Sequence, residues 1–330
     1  MANDKKLAVI ILNWNGISLL KQFLPGVMKH TCGDGVKVIV ADNGSSDGSV
    51  EWVMENYPDA GIIAFDKNYG FAEGYNKAIA EADYEYTVLL NSDVEVTEGW
   101  WQPMLEYMEA HPETGALQPK IKSFADKTKF EYAGAAGGYL DRLGYPYCRG
   151  RVFSTIETDN GQYDGDATEI TWASGACLMV RTSDYFNAGA LDAGFFAHME
   201  EIDLCCRMIG KGKKIICLPR SEVYHVGGAS LAQGNPKKTY LNFRNNLLLL
   251  HKNLPKGKGK KKLFIRRLAD SLAFFMFMAK GDFKNAKAVI EAHRDFRKMK
   301  KNYTVFPSED YLSTLPGSRR LIMLSFFSSK

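Results

Sequence analysis

Two apolar runs in this chain end on a carboxylate, and that pairing is where its chemistry can begin. Residues 86–96 read YTVLLNSDVEV: an apolar stretch, a polar break holding Asp93, then a strand-like continuation. Residues 36–49 read VKVIVADNGSSDGS, an apolar run that ends on Asp42. An aspartate closing a buried strand sits where open α/β sheets bind their ligands. Ser46 and Asp47 supply the turn and helix cap that follow. Asp42 is thereby left free to accept hydrogen bonds from a nucleobase or ribose. Asp93 can give a hard cation, Mg²⁺ or Mn²⁺, the carboxylate it needs beside diphosphate oxygens and water. Alone, the same residues would also suit an ordinary turn.

A third acidic group lies in FFAHMEEIDLCCRM, residues 195–208. On a helix Glu200 and Asp203 share a face. Phe195, Phe196 and Met199 could desolvate one carboxylate of Glu200, Glu201 and Asp203 and raise its pKa toward that of a useful base. Acids also complement the dipole of a helix N-terminus, so a structural role competes. His225, in SEVYHVGGASL, stands on a Gly-rich loop from which it could reach a metal or phosphate. Asn68, Gly70 and Gly74 lie in a turn where glycine lets backbone approach a ligand. Arg244 to Asn246 read as the solvated face of an apolar helix.

Positioning these groups requires alternating strands and helices. Strands are expected over 7–12, 36–41, 61–65 and 86–90, and helices over 17–30, 50–57, 75–82 and 100–110. Ser18 would cap the first helix and Pro25 interrupt it. Such alternation argues for a parallel sheet with helices on both faces. Residues 134–165 read as irregular or hairpin structure and 169–180 as a strand pair. A helix over 198–209, a strand over 214–218 and a loop over 223–230 follow. From Asn235 on the pattern is mainly helical.

The chain has 330 residues, 45% hydrophobic and 24% charged, which is the composition of a globular protein of one large domain or two smaller ones. A net charge of +4 does not point to nucleic acid. Six cysteines without a CxxC pair read as reduced thiols of a cytosolic protein. The N-terminal apolar run is too short for a signal peptide. Residues 268–279, LADSLAFFMFMA, fall short of the roughly 20 needed to cross a bilayer. With Lys and Arg on both flanks, residues 256–284 could lie on a membrane surface, pack as a core helix, or form a homodimer interface.

Taken in order, these motifs resemble the family 2 inverting glycosyltransferases of GT-A fold, closest to the bacterial rhamnosyltransferase-like branch, over roughly residues 5–250. The resemblance implies a mostly parallel, Rossmann-like sheet flanked by helices: a nucleotide-binding half (1–98), an acceptor half (99–250) and a helical C-terminal extension (251–330). VIILNWNG resembles the donor-binding turn, with Asn13 and Asn15. DNGSSDGS carries the nucleoside-contacting Asp42. NYGFAEGYNKAI closes over the nucleotide with Asn68, Gly70 and Asn76. LLNSDVEV resembles the DxD metal motif with its first carboxylate replaced by Asn, leaving Ser92 and Asp93, with His225 of HVGGAS as helper. WASGACLMV resembles the acceptor-side strand. MEEIDLC resembles the base motif, with Glu-Glu where Glu-Asp is usual, which makes Glu201 the base. The implied reaction is metal-dependent transfer of a hexosyl or deoxyhexosyl group, with inversion. The donor is a nucleotide-diphosphate sugar, and the acceptor a glycan or lipid-linked hydroxyl in surface polysaccharide synthesis at the inner face of the cell membrane. The alternatives are a non-catalytic relative that binds nucleotide sugar or glycan, and a sugar-nucleotide pyrophosphorylase. The second is disfavoured because NWNGIS replaces a Gly-rich basic loop.

Overall fold

A computed structural model describes residues 5–152, 155–227 and 234–322. The first half runs β1 (Leu7–Asn13), α1 (Ile17–His30), β2 (Val36–Asp42), α2 (Ser49–Asn56), β3 (Gly61–Ala64), α3 (Gly70–Ala82), β4 (Tyr86–Asn91), β5 (Val94–Val96) and α4 (Gln102–Ala110). Next come β6 (Thr114–Ser123), β7 (Gly138–Leu140), β8 (Pro146–Cys148), β9 (Arg151–Val152), β10 (Thr155–Ile156), β11 (Thr168–Ile170), β12 (Cys177–Arg181) and α5 (Thr182–Asn187). The chain continues through α6 (Glu200–Gly210), β13 (Lys214–His225), α7 (Pro236–Asn253), α8 (Lys256–Ala279) and α9 (Phe283–Met299).

The central sheet has the order β11-β13-β6-β12-β4-β1-β2-β3, with β5 added on β13. Strands β3, β2, β1 and β4 are parallel, β12 runs against β4 and β6, and β13 is parallel to β6. Both faces are buried, which is why the strands read as unbroken apolar runs. Ala8, Ile10, Ile39 and Leu89 enter one core; Leu7, Val9, Ile11, Val38 and Val88 enter the other. Strands β7 to β10 form a small antiparallel sheet of order β10-β9-β8-β7.

Four local expectations change. Helix α1 passes through Pro25 unbroken, because Leu20, Phe23, Leu24 and Val27 bury its inner face and offset a cost of about 3 kcal/mol. Its N-terminus is served by Asp47 rather than Ser18: Oδ2 accepts from Ile17 N at 2.9 Å while Oδ1 accepts from Ser49 N at 3.1 Å. One carboxylate thus serves the first turns of both α1 and α2. The Gly-rich turn is itself the start of α3, since Gly70 opens that helix. Residues 223–225, expected in a loop, extend β13 because Val223 to His225 pair with Val96 to Val94. Residues 228–230 of that expected loop lie outside the described residues.

Candidate active site

The carboxyl ends of β2, β1 and β4 bring three polar residues together. The parallel ladders set Asn13 beside Asp42 and Leu12 beside Asn91. Strand order reverses here, with β2 and β3 on one side of β1 and β4 on the other, which is where open sheets take ligands. Asp42 is buried but not free as expected: Oδ1 accepts from Asn13 Nδ2 at 3.0 Å and Oδ2 from Ser45 N at 2.8 Å. It ties the end of β1 to the turn after β2 and keeps a spare lone pair on each oxygen. Asn13 Oδ1 is buried without a hydrogen-bond partner among the described residues, an open acceptor at the rim. Asn15, at φ 49°, donates its N–H to Ser45 Oγ and accepts from Ser46 N. Between them Trp14 is 57% exposed and offers an aromatic face.

Asn43, which sequence reasoning passed over, holds the neighbouring turn. Its amide nitrogen donates to Asn68 Oδ1 and Gly70 O, and its oxygen accepts from Tyr69 N. Asn68 Oδ1 also accepts from Gly70 N at 2.7 Å. Asn76 has a different task from the nucleotide contact expected of it. Its oxygen accepts from Tyr185 Oη and Leu191 N, and its nitrogen donates to Leu191 O, bracing α3.

Pairing of β5 with the end of β13 seats Asp93 Oδ1 3.1 Å from His225 Nε2, across 132 positions of sequence. Asn91 Nδ2 stands 3.4 Å from the same nitrogen, and Ser92, between them, is half-buried. On the other side of the ring, Glu131 Oε1 is 3.6 Å from Nδ1. Burial works against a charged His225, but Asp93 and Glu131 outweigh it and bring its pKa to about 10. Glu131 was not anticipated; it lies between the expected helix over 100–110 and the irregular stretch over 134–165, outside every element read from the sequence.

The facing atoms fit a divalent cation. Two cis ligands at about 2.1 Å from a metal stand about 3 Å apart, the separation found. A carboxylate suits Mg²⁺ or Mn²⁺, and an imidazole is a common metal ligand. No group of three or more such side chains is placed to hold an ion among the described residues. A cation that completes its shell with substrate phosphates and water can be held by one or two protein ligands.

The other wall begins at α6. Phe196, His198 and Met199 all have positive φ, a conformation that costs non-glycine residues about 1–3 kcal/mol each. Asn245 and Arg244, expected on a solvated face, are instead buried and clamp this segment. Asn245 Nδ2 donates to the carbonyls of Phe195, Ala197 and His198, and Arg244 Nη2 to that of Phe195. The clamp fixes Glu200 and Glu201 in the first turn of α6. Burial raises Glu200 well above the usual carboxylate range, with the charge of Glu201 adding to it, and burial pushes Glu201 up to about 7. Each has a buried Oε2 without a hydrogen-bond partner among the described residues. Gly175 connects this wall to the first: a Cβ there would lie 3.4 Å from Phe71 Cζ and 3.8 Å from Glu201 Cβ, while neighbouring Ala176 O accepts from Asn91 N at 3.0 Å.

Asp203 stands apart. It is fully buried, and Arg207 Nε, Lys252 Nζ and Asn253 Nδ2 each donate to it at 2.8 Å, tying α6 to α7. Its carboxylate is therefore committed to this network rather than open as a base beside Glu200, with which helical spacing groups it. Asp203→Asn is expected to cost about 3 kcal/mol or more, because it leaves buried cations uncompensated. Folded protein should keep turnover within a few-fold. Urea unfolding and kcat on the same preparation check this; intact stability with lost turnover would return Asp203 to the catalytic group.

Residues 8–181 match the family model described as glycosyl transferase family 2. The chain belongs to that family. This family 2 glycosyltransferase is 27% identical over 237 residues to the N-acetylglucosaminyl-diphospho-decaprenol L-rhamnosyltransferase of Mycobacterium tuberculosis, covering 66% of this chain and 75% of that one. Its fold is similar to that of S. aureus TarS 1–349 in complex with UDP-GlcNAc, with a TM-score of 0.58, 15% identity, and coverage of 88% of this chain and 80% of that one. It also resembles GalNAc-T7 with UDP, GalNAc and Mn²⁺, at a TM-score of 0.57 and 15% identity; 76% of this chain is covered, but about half, 48%, of that one. The glycosyltransferase thus has the GT-A-like α/β architecture expected of it: a mixed, mostly parallel sheet flanked by helices, with α7–α9 at its C-terminal end.

Proposed function

We propose that this glycosyltransferase is metal-dependent and inverting. It moves a hexosyl or deoxyhexosyl group from a nucleotide-diphosphate sugar to a hydroxyl of a glycan or lipid-linked acceptor in surface polysaccharide synthesis. The observation that carries the reading is the 3.1 Å approach of Asp93 Oδ1 and His225 Nε2 at the carboxyl end of the sheet. The rhamnosyltransferase relative, whose name specifies a diphospho-decaprenol substrate, supports the lipid-linked acceptor. TarS with UDP-GlcNAc and GalNAc-T7 with UDP and Mn²⁺ support the donor class and the cation.

In this reading the nucleoside lies over Asn13, Asn15 and Asp42, with the Asn68–Gly70 turn closing on it. Asp93 and His225 would hold the cation, with Ser92 beside the diphosphate. Glu131, with Oε1 3.6 Å from Nδ1, places a negative charge behind the imidazole without hydrogen-bonding it. To ligate a cation, His225 would have to give up the proton it otherwise carries. The bound metal would supply electrostatic stabilisation of charge developing on the leaving diphosphate. Glu201 takes the proton of the acceptor hydroxyl. The oxygen's electron pair forms the new bond to the anomeric carbon. The bond to the diphosphate breaks on the opposite face and its electrons leave with the nucleotide. One displacement inverts the centre and requires no enzyme nucleophile. Burial, with the charge of Glu201 adding to it, raises Glu200 and so favours its neutral form beside the base.

A panel of nucleotide sugars, each with and without Mn²⁺, tests the reading by thermal shift and by release of nucleoside diphosphate. One donor should raise Tm and be slowly hydrolysed, both only with metal. If no nucleotide sugar binds, or binding and release are indifferent to Mn²⁺, the reading fails; binding without any turnover favours the non-catalytic alternative.

A further inference from the structure

Helix α8 faces the rest of the molecule with its polar side. Arg266 and Asp270, one turn apart and 3.3 Å from each other, are 1% and 0% exposed. Tyr145 Oη donates to Asp270 Oδ1 at 2.9 Å, His293 Nε2 lies 3.0 Å from Asp270 Oδ2, and Asn246 Oδ1 accepts from Arg266. The opposite side is apolar and, among the described residues, uncovered. Phe264, Leu268 and Phe275 are each more than 60% exposed and Leu272 is 45% exposed. At 3.6 residues per turn these four fall within an arc of about 80°. A helix packed on a globular core has the reverse arrangement. A buried polar side joined to an exposed apolar ridge marks a surface built to meet something else.

Charge identifies what that is. The ridge is flanked by exposed Lys258, Lys260, Lys261, Arg267, Lys280 and Lys284. The acids between 256 and 284 are Asp270, held in its buried pair, and Asp282, which caps α9 by accepting from Asn285 N. A groove of about 410 Å³ opens beside Ile265, lined by Arg142, Lys258, Lys261, Lys262 and Arg319. Its two acids are engaged: Asp141 with the N–H groups of Leu143 and Tyr145, and Asp310 with Lys258 at 3.4 Å. A second copy related by a two-fold axis would press this one-signed rim against itself, which is unfavourable. An anionic lipid surface complements both the rim and the ridge. No helix among the described residues is long and apolar enough to cross a membrane, so α8 would lie on the bilayer rather than span it.

We propose that α8 docks this protein on an anionic bilayer, with Phe264, Leu268, Leu272 and Phe275 sunk among the lipid chains and headgroup phosphates taken up by the basic groove. The inference goes beyond the glycosyltransferase reading and does not depend on it. Full-length protein is floated with vesicles of phosphatidylcholine alone or with 30% phosphatidylglycerol (about a third, chosen to give a strongly anionic surface), beside the variants L268E/F275E and K260E/K261E. Both sets of side chains are exposed, so Tm and nucleotide-sugar hydrolysis without vesicles should match wild type. Wild type is expected to float with the anionic vesicles at least tenfold more than with neutral ones. Each double variant should lose at least tenfold of that, and the wild-type signal should fall with added salt. Wild type that does not float, or variants that float equally well, would overturn the proposal. So would a wild-type dimer in light scattering that L268E/F275E abolishes, since the ridge would then belong to a second copy. Hydrolysis by the same preparations reports separately on the catalytic reading.

Discussion

Glu201→Gln is expected to lower sugar transfer by about 10²–10⁴-fold, the usual contribution of a positioned general base. Gln keeps the size of the side chain and removes its ability to take a proton. Burial holds the Glu201 carboxyl at about 7, close to the pH at which a base works best. Only the ionised form can act. Wild-type kcat/KM should therefore climb about tenfold per pH unit below 7 and level off above it, and the variant should lose that limb. The stability consequence has the opposite sign. A carboxyl whose folded pKa lies above its unfolded value binds more protons in the native state, so wild type loses stability as pH rises from the unfolded value to about 7. The Gln variant escapes this loss, and its Tm advantage should grow from pH 5 to pH 8. A pH–rate series and matched melting curves measure both. Retention of a tenth of the activity, or survival of the limb, would remove Glu201 as the base. Glu200, one residue earlier and also lacking a partner on Oε2, would then be the group to test.

The second large effect is expected at Asp93. Asp93→Ala should reduce transfer by about 10²–10³-fold or more, the scale seen when one group stabilising transition-state charge is removed. It should also weaken Mn²⁺ binding in the presence of nucleoside diphosphate, read by Mn²⁺ electron paramagnetic resonance independently of turnover. Wild type treated with chelator should lose activity and regain it with Mn²⁺, whereas the variant should not respond. The argument rests on position. Asp93 supplies the carboxylate at the β4–β5 turn that touches His225, since the other oxygen-bearing side chains there are Asn91 and Ser92. Unchanged Mn²⁺ affinity in the variant would place the cation elsewhere.

Much of the N-terminal half was legible in the chain. Leu7–Asn13, Val36–Asp42 and Tyr86–Asn91 are apolar runs because both faces of a parallel strand are buried. Their polar ends then mark the rim where ligands bind. The turn over residues 13–16 was also readable, since Asn15, at φ 49°, is of a residue type that tolerates this conformation. What could not be read was partnership over distance. Glu131 lies outside every element read from the sequence, and only the tertiary fold brings it to His225 at the end of β13. Arg244 and Asn245 have the composition of a solvated face, yet the strained 195–199 carbonyls need donors, and these two side chains supply them.

Local sequence, then, determined the α/β class, the strand-end carboxylates and the acidic turn of α6, because these follow from period, polarity and turn chemistry within a dozen residues. Tertiary structure decided which carboxylates are free. Helical spacing groups Asp203 with Glu200, but Lys252 and Asn253 of α7 occupy Asp203, while burial leaves Glu201 unpaired with a pKa of about 7. It also decided which side of α8 faces outward. Composition alone allows its apolar residues to be core or surface. The buried Arg266–Asp270 pair turns the polar side inward, because a charged pair removed from water must keep its partners, and Tyr145, His293 and Asn246 are there to supply them.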